Sequence, residues 1–180
     1  MDGHYVPNIT FGPNIVKSLK KVTNKILDVH LMINPVLPFI EEFINAGSDI
    51  ISFHPEADKN SNKIIEIVKN TNCKVGIAIH PHKEIEEIKQ FLGIVDQVIV
   101  MTVVPGFGGQ NFLEDQVKKI NKLNEIKKKN NFIFEIEIDG GINNKTSQLC
   151  TKNGANILVA GSYIFKSKNS DYKQLINSLR

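Results

Sequence analysis

Strand-like and helix-like segments alternate along most of this chain, and four of the six strand-like runs are apolar on one face only. Strands are predicted over Lys25–Ile33, Asp49–His54, Lys74–His80, Gln97–Val103, Phe132–Asp139 and Asn156–Ala160. Helices are predicted over Asn14–Val22, Pro35–Ala46, Ser61–Asn70, Lys83–Leu92, Gln116–Lys129, Asn144–Lys152 and Asp171–Leu179, with apolar residues three and four apart. Repeated strand-helix units with short connections make a parallel sheet. Strands covered on both faces by helices should be apolar throughout. These are not. In the first run Leu27, Val29, Leu31 and Ile33 oppose Asp28, His30 and Met32. In the second, Ile51 and Phe53 oppose Ser52, His54 and Glu56. In the third, Val75, Ile77 and Ile79 oppose Gly76, Ala78 and His80, and in the fifth Phe134, Ile136 and Ile138 oppose Glu135, Glu137 and Asp139.

The second face is small or polar, and more so toward each strand's C-terminal end. That pattern suits an eight-stranded α/β barrel, whose lumen opens into a site at the C-terminal rim. A doubly wound open sheet, apolar on both faces, ranks second. Such barrels usually take about 250 residues, whereas this chain has 180, the size of one domain.

The net charge is +3, and all but one of the 22 basic residues are lysines. They are scattered, and the single run, Lys127–Lys129, falls at a predicted helix end, where cations favour the helix dipole. No arginine forks for phosphate or base recognition are present, so nucleic acid is not an expected partner. Cys73 and Cys150 lie in no zinc or disulfide spacing. No apolar run approaches a membrane span of about 18 residues. A reduced, cytoplasmic setting is the expectation.

His30, His54 and His80 each fall at the end of a different predicted strand and would converge on one rim. Asp139 opens Asp139-Gly140-Gly141 at the end of a buried strand, where a carboxylate is costly unless paired, metal-bound or working as an acid/base. Gly106, Gly108 and Gly109 follow the fourth strand, and Gly161-Ser162 follows the last. Three glycine loops at one rim form a phosphate cradle in which backbone N–H groups and a helix dipole carry the anion. The first is no Walker A loop, because it lacks the Gly-Lys-Ser/Thr ending.

At this point the chain resembles the ribulose-phosphate 3-epimerase family. The resemblance is carried by the segment from Met1-Asp2-Gly3-His4 to Phe11-Gly12-Pro13, by Asp28-Val29-His30-Leu31-Met32, by Phe53-His54-Pro55-Glu56-Ala57, by Met101-Thr102-Val103-Val104-Pro105-Gly106-Phe107-Gly108-Gly109-Gln110, by Asp139-Gly140-Gly141-Ile142 and by Ala160-Gly161-Ser162. These stand in family order over nearly the whole chain. Val104 departs from the acidic or polar residue usual there.

The resemblance implies a barrel enzyme of carbohydrate metabolism and the pentose phosphate pathway. It would interconvert D-ribulose 5-phosphate and D-xylulose 5-phosphate by metal-assisted proton transfer at C3. Asp139 matches a catalytic acid/base and metal ligand, and His30 a metal-ligating, substrate-facing histidine. Met1, Met32 and Met101 match methionines that line the substrate. Gly106, Phe107, Gly108, Gly109, Gly140, Gly141, Gly161 and Ser162 match the substrate and phosphate loops. The implied cofactor is a divalent metal, zinc first, with iron, manganese or cobalt in its place. His54 and His80 receive no ligand role. The partner is a sugar phosphate, with neither nucleic acid nor membrane, and the complete protein is expected to be a homo-oligomer.

The family pattern also places a first strand, a first helix and a second strand before the Met-Asp-Gly-His segment, the second strand bearing a second histidine and a second aspartate. Six strands are therefore expected in one partial barrel domain, with metal binding weakened and epimerase activity weak or absent. A start placed at an internal methionine codon, or a truncated gene, would account for this. A D-allulose 6-phosphate 3-epimerase and a non-catalytic phosphate-binding remnant are the alternatives.

Overall fold

The computed structural model describes residues 1–167 and 171–180. Six strands form one sheet in the order β1-β2-β3-β4-β5-β6. They are β1 (Asp28–Leu31), β2 (Ile50–Phe53), β3 (Lys74–Ile79), β4 (Gln97–Met101), β5 (Glu135–Asp139) and β6 (Ile157–Val159). The registered pairs β1/β2, β2/β3 and β5/β6 are parallel. The helices are α1 (Pro13–Lys20), α2 (Ile40–Asn45), α3 (Ser61–Lys69), α4 (Ile85–Ile88), α5 (Val117–Asn130), α6 (Asn144–Lys152), α7 (Ser162–Phe165) and α8 (Tyr172–Asn177). Among the described residues no helix is long and apolar enough to cross a membrane. The α/β class and the six strands agree with the sequence reading. The short helix α7 was not anticipated, and the helix expected over Lys83–Leu92 divides into α4 and a 3-10 turn, Lys89–Phe91.

Contacts divide the chain into two compact units, Met1–Ala78 with Ile94–Gln97, and Ile79–Gly93 with Val98–Arg180. In the first, Ile40 and Phe43 of α2 and Ile64, Ile65 and Val68 of α3 are buried, as are Leu31, Ile51, Phe53, Val75 and Ile77 of the strands. Each such side chain removed from water contributes about 1.5–3 kcal/mol. The opposite strand face is polar and filled. Ser52 and Gln97 are buried, and Gln97 Nε2 donates to Asp28 Oδ2 at 2.9 Å and to Ser52 Oγ at 3.4 Å. Gly76 completes this layer, since a Cβ there would collide with Ser52 Oγ. The polar alternation in the sequence is thus a layer of satisfied side chains.

In the second unit Val98, Ile99, Val100 and Met101 of β4, Ile120 and Leu123 of α5, Phe134, Ile136, Ile138 and Cys150 are buried. Helix α5 stops at Asn131, left-handed at φ 53°, with Lys127, Lys128 and Lys129 in its last turn. Helix α6 opens on a capping box: Asn143 accepts from the backbone of Lys145 and Thr146, and Thr146 Oγ1 accepts from Asn143 N.

One device recurs at the strand starts. Asp49, just before β2, accepts from Leu27 N at 2.8 Å. Asp96, just before β4, accepts from Val75 N at 2.9 Å, and Asn156, just before β6, from Ile136 N at 3.2 Å. A short polar side chain leading into one strand therefore satisfies an N–H at the start of the preceding one, while its own backbone N–H donates to the same residue's carbonyl, and the two bonds together bring the strand N-termini into line.

Candidate active site

The C-terminal ends of β1 and β2 bring two histidines into contact. His30 is the third residue of β1, in register with Ser52, and His54 is the residue after β2. Their Nε2 atoms lie 3.1 Å apart, and the rings stack at 5.0 Å between centroids. His54 is fully buried, and its Nδ1 lies 3.4 Å from Glu56 Oε1. Tyr5 Oη donates to the same carboxylate oxygen at 2.9 Å, and its ring sits 5.0 Å from that of His54. Burial alone would push the Glu56 carboxyl up, but hydrogen bonding with His54, the attraction of its charge in acid and the Tyr5 hydroxyl hold it down to about 2. Burial and the Glu56 charge push the Tyr5 hydroxyl up.

Asp2 fixes the segment that carries Tyr5. Its Oδ1 accepts from His4 N and Tyr5 N, both at 2.9 Å, and its Oδ2 accepts from Asn34 N at 2.8 Å. These bonds outweigh the opposing effect of burial and lower its pKa. His4 Nδ1 lies 2.8 Å from the Asn34 carbonyl, a second tie to the end of β1.

The second unit carries the glycine loops. Asp139 ends β5 and is half-buried. Buried Thr102, just past β4, donates from N to the Asp139 carbonyl at 2.8 Å and from Oγ1 to the Gly140 carbonyl at 2.7 Å. Gly140 and Gly141 adopt φ of 127° and 62°, which side-chain-bearing residues avoid. The Gly106–Gly109 loop is closed by Gln110 Nε2, which donates to the Val104 and Phe107 carbonyls, both at 2.7 Å. Phe107 is exposed on its tip. Gly161 precedes α7, and its carbonyl accepts from Phe165 N at 2.9 Å. Asp139 is in register with Val159, so the Gly140–Gly141 turn and the Gly161–Ser162 turn leave neighbouring strands at the same end.

Of the other residues singled out in the sequence, Met1 and Met32 are half-buried in the first unit and Met101 is buried at the end of β4 in the second. Val104 is exposed. His80 lies at the end of β3, where its Nδ1 accepts from His82 N at 3.3 Å, a local turn contact. Sequence reasoning gave His54 no role and passed over Tyr5, Glu56 and Thr102. The signal for Tyr5 was its position within the first motif, and for Glu56 its position within a motif and on the polar face of the second strand-like run.

Among the described residues no group of three or more His, Cys, Asp or Glu side chains is placed to hold a metal ion. His30 and Asp139 are two donors, and zinc normally takes four. The residues present therefore do not make up a full metal site.

The family model described as "Ribulose-phosphate 3 epimerase family" matches residues 1–165. The ribulose-phosphate 3-epimerase of Bacillus subtilis is 41% identical over 183 residues, which cover 100% of this chain and 82% of that protein. That of Helicobacter pylori is 41% identical over 180 residues, with the same coverage of both chains. The solved structure of 3-keto-L-gulonate-6-phosphate decarboxylase from Vibrio cholerae superposes with a TM-score of 0.71 over 97% of this chain and 86% of that one. At 18% identity that likeness speaks for the fold alone.

Proposed function

Because this chain belongs to the ribulose-phosphate 3-epimerase family of isomerases, we propose that it interconverts D-ribulose 5-phosphate and D-xylulose 5-phosphate by moving a proton at C3. The observation that carries this is the family match over residues 1–165, with Asp139 at the C-terminal end of β5 beside two glycine turns.

The substrate's C3 proton is acidified by the neighbouring carbonyl. The Asp139 carboxylate takes that proton on one face of the resulting enediolate, or returns it there. Its own backbone is held by Thr102, so the carboxylate is aimed from a rigid strand end. The phosphate is gripped by the N–H groups of the Gly106–Gly109, Gly140–Gly141 and Gly161–Ser162 turns, with Phe107 covering the bound sugar. The family resemblance assigns His30, Met1 and Met32 of the first unit and Met101 of the second to the substrate lining. A divalent cation, zinc first and iron, manganese or cobalt in its place, would stabilise enediolate charge, with His30 and Asp139 as donors. Two donors fill half of a zinc shell, so metal binding at these two positions alone is expected to be weak.

Inversion also needs an acid/base group on the opposite face. The positions matched to the family within residues 1–180 supply one carboxylate of two. Losing an acid/base group costs about 10²–10⁴-fold, so turnover by residues 1–180 alone is expected to be weak. The test is an epimerase assay on D-ribulose 5-phosphate with the chain and its Asp139→Asn variant. Any residual turnover should fall by a further factor of about 10²–10⁴ in the variant. Turnover that Asp139→Asn leaves intact overturns the role of Asp139, and full family-level turnover from residues 1–180 overturns the need for a second carboxylate. Faster turnover of D-allulose 6-phosphate would replace the substrate, and phosphate binding without turnover would mark a non-catalytic remnant.

A further inference from the structure

The Gly106–Gly109 loop and the Gly161–Ser162 turn, both in the second unit, meet at one side chain. A Cβ on Gly109 would lie 3.3 Å from Lys166 Nζ, so the ammonium stands over the bare Cα of that residue. Gly109 adopts a φ of 83°, which side-chain-bearing residues avoid, and this keeps the place beside the ammonium open. Lys166 follows Gly161–Ser162 by one helical turn. Its N–H donates to the Ser162 carbonyl at 3.0 Å, and Phe165 N donates to the Gly161 carbonyl at 2.9 Å. The backbone of Lys166 is thus tied to one glycine turn while its ammonium reaches the other.

In the same unit Lys83, Lys122 and Lys127 each pair with a glutamate, and Lys119 donates to the Pro81 carbonyl. The Lys166 ammonium has no carboxylate or carbonyl partner among the described residues. Two carbonyls of the loop beside it, those of Val104 and Phe107, are taken by Gln110 Nε2. Gly108 and Gly109 are exposed, and their N–H groups donate to no protein acceptor among the described residues. N–H donors beside an uncompensated positive charge are the complement of an anionic oxygen. Helix α7 has four residues, so few peptide dipoles sum behind Gly161, and a full charge has to come from a side chain. We propose that Lys166 is a phosphate-binding residue, its ammonium pairing with a phosphate monoester dianion that the N–H groups of the Gly106–Gly109 and Gly161–Ser162 turns orient. The N–H groups fix the position of the ester, and the lysine, a point charge, sets the preference for a dianion over a neutral sugar. This assignment rests on the reading of these turns as the phosphate cradle of the proposed epimerase.

The test is a nitrogen-15 amide NMR titration of the 180-residue chain with inorganic phosphate and with D-ribulose 5-phosphate, read at Gly108, Gly109 and Gly161. It is repeated on Lys166→Met, Lys166→Arg and Lys128→Met. Lys166 is exposed, so its replacement should leave urea unfolding unchanged. Affinity for both anions should fall about tenfold in Lys166→Met, the worth of one charged hydrogen bond, and recover in Lys166→Arg. Lys128→Met removes the same charge from the last turn of α5 and should bind as the unaltered chain does. An equal loss in Lys128→Met would make the effect one of net charge and overturn the proposal. Unaltered affinity in Lys166→Met, or no phosphate binding by the unaltered chain, overturns it as well. Inorganic phosphate bound through Lys166 by a chain that does not turn over D-ribulose 5-phosphate would sink the proposed function and leave the assignment standing. Turnover by a chain whose affinity is indifferent to Lys166→Met would do the reverse.

Discussion

Alanine substitution should divide the glycine turns into two physical kinds. A Cβ on Gly140 would sit 2.6 and 2.7 Å from the two methyls of Val103 and 2.8 Å from its backbone nitrogen. One on Gly141 would sit 2.8 Å from the backbone of Phe112. Both glycines have positive φ, and the Gly140 carbonyl is held by Thr102 Oγ1 at 2.7 Å, so the turn is not free to move aside. A disfavoured φ costs about 1–3 kcal/mol and overpacking about 1–3 kcal/mol. Gly140→Ala should therefore lose about 2–6 kcal/mol, a large share of the roughly 5–15 kcal/mol that keeps a domain folded. Gly108 and Gly161 meet nothing within 4 Å, and Gly161 has a φ of −89°. There alanine restricts mainly the unfolded chain and should be neutral or stabilising by about 0.4–1 kcal/mol. Any binding cost at Gly108 or Gly161 must then come from a ligand that approaches the backbone. A blocked charge-assisted hydrogen bond is worth about 1.5–3 kcal/mol, so affinity for D-ribulose 5-phosphate should fall by about tenfold or more. Urea unfolding measures the first quantity and isothermal titration the second. A Gly161→Ala protein destabilised by about 2 kcal/mol would refute the steric argument, and unaltered affinity in both Gly108→Ala and Gly161→Ala would refute the phosphate cradle.

Acid should act through Glu56. Its carboxyl is held at about 2 in the folded chain against an ordinary 4.5, so its contribution to stability is complete above the unfolded value and is lost as pH falls from about 4.5 toward about 2. Urea midpoints measured across that window should fall less steeply in Glu56→Gln, and identical slopes would show that the carboxylate is not so held. Asn143→Ala removes the acceptor for Lys145 N at 2.9 Å and Thr146 N at 3.1 Å. It should cost about 0.5–2 kcal/mol in thermal or urea unfolding, and an unchanged midpoint would mean that the cap contributes nothing. Gly76→Ala forces a methyl against Ser52 Oγ and within 3.2 Å of Gln97 Cβ in a filled polar layer. A loss of about 1–3 kcal/mol is expected, and a neutral result would show that the layer has room to yield.

Strand order and class were legible because they depend on period, which is local to each run. Boundaries were less so. The first strand was expected over Lys25–Ile33 and is Asp28–Leu31, because Leu27 N goes to the Asp49 side chain and Asn34 N to that of Asp2. Partners 22 and 32 residues away leave no mark on the run itself. Periodicity assigns the polar face to the inside of a barrel; of its residues, Ser52, Gly76 and Gln97 pack together as a buried layer. The histidines show where periodicity stops helping. His30, His54 and His80 occupy equivalent places at three strand ends, and position alone ranks them equally. Family resemblance keeps His30 and drops the other two; His80 accepts from His82 N within its own turn. The ring of His54 lies against that of His30. The difference lies in the segment after each strand. Past His54 the chain turns through Pro55–Ala57 and returns Glu56 to the ring, while the segment 1–10, folded back by Asp2, adds Tyr5. A buried histidine acquires its proton arrangement from such neighbours and not from its place on the strand.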